Sequence, residues 1–151
     1  MVLFAPVVFL LHVLEEAPRF VPWFNSLVTP GIDERTFLAV NGVGMAVTIL
    51  ITAAVASSSE PAAGAALAAW VGFLMLANGL FHLVATMVHG RYCPGVVTGT
   101  LIYLPYGVLL LRGIVRSGSL RSASVAACAA LGAVPMLVHG YLIVFRGSRL
   151  F

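Results

Sequence analysis

Long apolar runs separated by brief polar punctuation dominate the chain. Five stretches stand out: Val2 to about Ala17, Thr36 to Ala56, Ala62 to Val88, Gly95 to Ile114, and Ala123 to Phe145. A helix needs about 20 residues to cross the hydrocarbon core of a bilayer. The last four stretches meet that length. The first is interrupted by His12, Glu15 and Glu16, so its polar end requires shelter from the other helices. The segment Pro18 to Leu27, with Phe20, Trp23 and Phe24, has the aromatic and proline content of a stretch lying along the membrane interface. The links Ser57–Pro61, Arg91–Gly95 and Arg112–Arg121 are short, and Pro61 suits a first helical turn. Pro105 and Pro135 fall inside predicted helices, where each frees a carbonyl and predicts a kink. The pattern predicts an all-α polytopic membrane helical bundle, one domain over residues 1–151, with about five transmembrane helices.

Composition strengthens this picture. The chain is 61% hydrophobic and only 9% charged, against about 25% charged residues in a soluble domain. Exposing that much apolar surface to water costs roughly 25 cal/mol per Å². All eight basic residues are arginines, most of them near predicted helix ends where a guanidinium snorkels to the headgroups. The basic balance therefore needs no nucleic-acid partner; membrane lipid accounts for it. Cys93 and Cys128 have no CxxC spacing and are expected as free thiols. The apolar N-terminus lacks a basic region ahead of it and is expected to be a retained helix rather than a signal peptide.

Parity makes a geometric claim. With five antiparallel crossings, the ends of the first, third and fifth helices share one side of the membrane with the starts of the second and fourth. His12, Glu15, Glu16, Asn41, Asn78, His82, His89, Thr98, Thr100, Tyr103, His139 and Tyr141 all fall toward that side, so a polar pocket is expected in one leaflet. The other half is almost entirely Ala, Leu, Val and Gly. Helical phase sharpens the claim, because residues separated by three, four, seven or eleven positions share a face. His12, Glu15 and Glu16 stand at i, i+3 and i+4; Asn78, His82 and His89 stand at i, i+4 and i+11. Single features have plainer explanations: an interhelical hydrogen bond suffices for Asn41, a structural role for His139, and close helix packing for Gly42, Gly44, Ala65, Ala68 and Ala69. The two polar stripes together exceed what one Glu–His contact explains.

Imidazoles and carboxylates on facing helices are the usual equipment of a metal site in a bundle. The simplest arrangement is one zinc or iron ion held by His12, His82, His89 and a glutamate, Glu16, with the other glutamate as general base toward a metal-bound water. Without metal, Glu15 or Glu16 in a low-dielectric pocket could serve as a general acid. Asn41, Asn78, Tyr103 and His139 complete the candidate pocket. HExxH is absent, and the Glu-x-x-His pairs of di-iron bundles are not matched.

The blocks His12-Val13-Leu14-Glu15-Glu16, Asn78-x-x-x-His82 and His89-x-x-Tyr92-x-Pro94-Gly95-x-x-Thr98 resemble the HXXEE family of small bacterial membrane proteins, named for the first motif. The resemblance implies importance for His12, Glu15, Glu16, Asn78, His82, His89, Tyr92, Pro94 and Gly95, and so adds Tyr92 to the two glutamates as a catalytic candidate. It implies no reaction, and Cys93 falls in a gap of the motif.

Three functions follow as expectations. The first is a metal-dependent membrane enzyme acting on a lipidic or isoprenoid-like molecule that enters from the bilayer. The second is a haem-binding or redox-complex anchor using His82 or His139. The third is a proton or small-solute carrier with a Glu–His relay. The expected location is the bacterial inner membrane, either as a homo-oligomer or within a larger complex. Arg19, Arg35, Arg91, Arg146 and Arg149 lie on the polar side against Arg112, Arg116 and Arg121 opposite, which puts the polar side in the cytoplasm by the positive-inside rule.

Overall fold

The computed structural model describes residues 1–151 and is built from helices and their links alone. One 3-10 turn at Val2–Phe4 leads into α1 (Ala5–Glu16), followed by the short α2 (Phe20–Asn25). Four long helices follow: α3 (Glu34–Ser57), α4 (Pro61–His89), α5 (Val96–Arg116) and α6 (Ser122–Arg146). These four are long and apolar enough to cross a membrane. The five apolar stretches of the sequence are therefore all helical, with ends within two residues of those expected except at the start of α1. Asp33 opens α3 as an N-cap, its carboxylate accepting the Thr36 amide at 2.7 Å.

α1 is the short member. Its helical residues and the turn before it reach roughly 22 Å at 1.5 Å per residue, less than a full hydrocarbon core. It nevertheless runs the length of the bundle. The carbonyl of Met1 accepts the Tyr106 hydroxyl, and the Met1 side chain lies near Gly113, so α1 starts beside the links that join α3 to α4 and α5 to α6. Its far end reaches the start of α5. Ala5, Phe9, His12 and Glu16, spaced i, i+4, i+7 and i+11, form its buried stripe. Leu3, Phe4, Val7, Leu10, Leu11 and Leu14 face outward. The aromatic segment after α1 folds as α2, and its Trp23 and Phe24 are buried against Phe81 and neighbours rather than lying along an outer surface.

α4 is the central helix: α3 packs on one side of it, α6 along another and α5 against a third, while α1 packs on α3 and the start of α5. The seam with α6 is backbone against backbone. A Cβ added to Gly132 would stand 2.0 Å from the Ala69 carbonyl oxygen, and one added to Gly72 would stand 2.0 Å from that of Ala129. Small residues permit such an approach where lipid offers no hydrophobic gain. Ala68 is fully buried here, as the sequence suggested. Gly42 is not: it faces open space, while Gly44 receives the Phe9 ring.

The proline expectations are met in part. α5 carries a π-helical stretch at Gly99–Tyr103, directly before Pro105, where the wider turn absorbs the missing donor. α6 instead stays α-helical through Pro135 and turns to π only at Leu142–Arg146. A third π segment, Gly72–Ala77, shifts the phase of α4 just before Asn78. The sequence carried no sign of it.

Candidate functional site

The end of α1, the last third of α4 and the start of α5 meet at one level. His12 and Glu16 come from the inner stripe of α1, and His82 comes from α4; one ligating atom from each lies within 4.8 Å of the others. All three side chains are buried. His82 Nε2 stands 3.2 Å from Glu16 Oε1, and His12 Nε2 stands 3.7 Å from the same oxygen.

Outer partners fix the imidazole tautomers. The Thr98 hydroxyl donates to Glu15 Oε2 at 2.5 Å, so its oxygen can only accept from His12 Nδ1, 2.7 Å away. The proton of His12 is thereby on Nδ1, and Nε2 presents a lone pair, toward which the Asn78 amide points at 3.0 Å. His82 is held similarly. Its Nδ1 lies 3.3 Å from Cys93 Sγ, whose own hydrogen points to the Pro94 carbonyl. Burial pushes the Cys93 thiol well above its ordinary pKa, so it keeps its hydrogen on the Pro94 carbonyl and its sulfur lone pairs are open to the N–H of His82 Nδ1. His82 Nε2 is then also bare and has no hydrogen-bond partner. Two imine lone pairs and a carboxylate oxygen converge with no donor between His82 and Glu16. Such a group calls for a cation or a shared proton.

Gly95 lets the α4–α5 link pass over both rings. Its φ is +98°, and an added Cβ would stand 2.6 Å from His82 Cε1 and 2.9 Å from His12 Cε1. Gly95→Ala is therefore expected to displace both imidazoles and to cost about 2–4 kcal/mol through strain and overpacking. Chemical-shift changes of both histidines in labelled protein would check it; unperturbed histidines would contradict the placement.

Several expected site residues have other work. Glu15 does not face the group as a free base. It turns toward α5, where Oε1 accepts the Tyr92 hydroxyl at 2.6 Å and the Gly95 and Val97 amides, while Oε2 accepts the Thr98 amide and hydroxyl. This carboxylate caps the start of α5, where unpaired amides and the helix dipole favour negative charge. Consecutive residues of a helix lie about 100° apart, so Glu15 and Glu16 cannot serve one site in the same way. Tyr92 is largely exposed and is a partner of Glu15; burial and that hydrogen bond raise its phenol to about 12, which suits a donor rather than a base. His89 sits two turns beyond His82, about 10 Å along the axis, and is not among the converging ligands. Asn41 bonds the Phe37 carbonyl of its own helix. Tyr103 is fully buried with its ring 4.1 Å from that of His12, and its hydroxyl has no partner. His139 is stacked on Phe151 at 4.0 Å and accepts the Leu150 amide.

A chamber of about 370 Å³ adjoins the group. His12, Glu16, Asn78, Asn41 and His139 contribute to its wall, and Phe9, Phe20, Phe24, Phe37, Trp70 and Phe73 make it mainly aromatic. Sequence reasoning passed over the roles of Thr98 and Cys93. Thr98 stood in a motif block, but a hydroxyl that fixes a tautomer has no spacing signature of its own.

Fold and site together define the class: a helical protein with membrane-spanning segments, whose imidazoles and one carboxylate are gathered in a buried group beside an apolar chamber. The chain belongs to the HXXEE family, described as protein of unknown function with HXXEE motif, whose sequence profile matches residues 3–110. The match takes in His12, Glu16, His82, Cys93 and Thr98 and stops short of α6. Neither the search of curated proteins nor that of solved structures finds a match.

Proposed function

We propose that His12, Glu16 and His82 bind a divalent transition metal, zinc or iron, and that the protein is a metal-dependent membrane enzyme acting on a lipidic or isoprenoid-like molecule. The carrying observation is the convergence of two imidazole nitrogens at 3.2 and 3.7 Å about one carboxylate oxygen. Ligand bonds of about 2.0–2.1 Å in a tetrahedron separate neighbouring ligands by about 3.3 Å. Outer hydrogen bonds that set the tautomer and tilt of each ring are also the habit of metal-bound histidines. Two histidines and a glutamate leave a fourth position for water or substrate, the arrangement of catalytic rather than structural zinc. The adjoining aromatic chamber supports an apolar substrate.

Haem is less well supported: the His12 and His82 rings meet edge to face at 4.9 Å, with no room for a macrocycle between them, and Phe151 covers His139. A carrier would need a polar path through the opposite half, where the buried polar side chains Thr48 and Thr52 belong to α3 and Thr48 is bonded to Trp70 and Gly44. We propose that the site lies in the cytoplasmic leaflet, on the arginine balance alone, and that the membrane is the inner membrane of a bacterium, as the family resemblance implies. Metal analysis of detergent-purified protein is expected to return about one zinc, iron or manganese ion per chain. His82→Ala is expected to lose it while keeping its elution profile. Well-folded wild-type protein without stoichiometric metal, even after reconstitution, would sink the reading.

A further inference from the structure

The metal group says nothing about how a substrate would be recognised, but the far wall of the chamber does. Arg149, just past the end of α6, lines the chamber and is half-buried. It has no carboxylate partner, since the ion pairs of the chain join only Glu16 to His12 and His82. It makes no hydrogen bond to another side chain or to backbone. A partly desolvated guanidinium without a counter-ion is costly, and its planar fork suits carboxylate and phosphate oxygens.

The chamber is polarised along the bundle axis. Thr36, in the first turn of α3, and Arg149 stand at its outer end, whereas Val47 and Trp70 line its depth. Thr36 and Val47 are separated by about 16 Å of helix at 1.5 Å per residue. One end is thus at headgroup level and the other in hydrocarbon. The α3 wall contributes Val40 and Val43, both exposed, and α3 and α6 share no packed face, so the chamber opens sideways between them toward lipid. Its volume is near the lower end of small-molecule pockets, enough for one chain rather than two.

We propose that this chamber takes a single-chain amphiphile with an anionic head, the head held by Arg149 at the mouth and the chain lying against Trp70 and Phe73. Arg149 lies outside residues 3–110, the span matched to the family. The proposal names the substrate class for the enzyme inferred above, yet its test does not need metal.

The chain has two tryptophans, and only Trp70 lines the chamber. In Trp23→Phe protein, doxyl-labelled stearic acid is expected to quench Trp70 saturably, at about tenfold lower concentration than its methyl ester, as one charged hydrogen bond would give. Arg149→Gln should abolish that advantage and Arg149→Lys should keep most of it. Competition by a monoalkyl phosphate against a fatty acid decides whether the head is phosphate or carboxylate. Should Trp23→Phe not purify, wild type serves, with Trp23 as the unquenched component. Equal quenching by acid and ester, or an advantage untouched in Arg149→Gln, overturns the proposal. Repeating the titration after chelation separates this outcome from failure of the metal reading.

Discussion

Glu15→Ala is expected to destabilise the protein by about 2–4 kcal/mol, whereas Glu16→Ala is expected to leave stability nearly unchanged and abolish metal binding. The two adjacent carboxylates differ in what they touch. Glu15 accepts from Tyr92, Gly95, Val97 and twice from Thr98, so its loss strands three amides at the start of α5. A hydrogen bond to a charged group is worth roughly 1.5–3 kcal/mol, but such terms do not add, and water reaches part of this half-exposed site. Glu16 is buried and has no donor of its own. Truncating it removes a desolvated acid from an aromatic wall. Glu15→Ala should also weaken metal binding by roughly 10–100-fold, because Thr98 would no longer be committed to accepting from His12. Unfolding in mixed SDS micelles, with metal content measured in parallel, reads both effects. If Glu15→Ala matched wild type in stability, the capping role would be wrong.

Gly132→Leu is expected to prevent the bundle from assembling. The Cβ alone would lie 2.0 Å from the Ala69 carbonyl oxygen, and that oxygen belongs to backbone, which has no rotamer to yield. Separating α4 from α6 by the width of a side chain also undoes the reciprocal contact of Gly72 with Ala129, so the cost should exceed the roughly 3 kcal/mol upper range of core overpacking. Gly42→Leu is the matched control, since nothing lies within 4 Å of its Cβ direction. Comparable yields of monodisperse protein from the two variants would contradict the seam.

How far the sequence carries can be judged at particular residues. Helix ends were legible to within a turn, because Ser57–Pro61 and Arg91–Gly95 interrupt otherwise continuous apolar runs. The meeting of His12, Asn78 and His82 was legible from parity and phase together. Phase alone also joined Glu15 to Glu16 and His89 to His82, and there it misled. Along a helix, two residues on one face remain turns apart in height, and adjacent residues face different neighbours. A periodicity rule carries neither distance.

The sequence by itself determined that this chain forms apolar helices, since unbroken apolar runs of about 20 residues, rather than short alternating ones, satisfy their backbone in lipid as helices and not as barrel strands. It also determined that the polar residues share one end, because reversal of direction at each short link is a matter of chain order. Only the tertiary structure decided which of them touch. Thr98 between Glu15 and His12 joins segments far apart in the chain, and Gly95 over two imidazoles and Cys93 behind His82 depend on how the α4–α5 link folds back, none of which a periodicity carries. Those contacts place the proton of each histidine on Nδ1 and turn both Nε2 lone pairs toward Glu16, that of His82 bare and that of His12 met by the Asn78 amide.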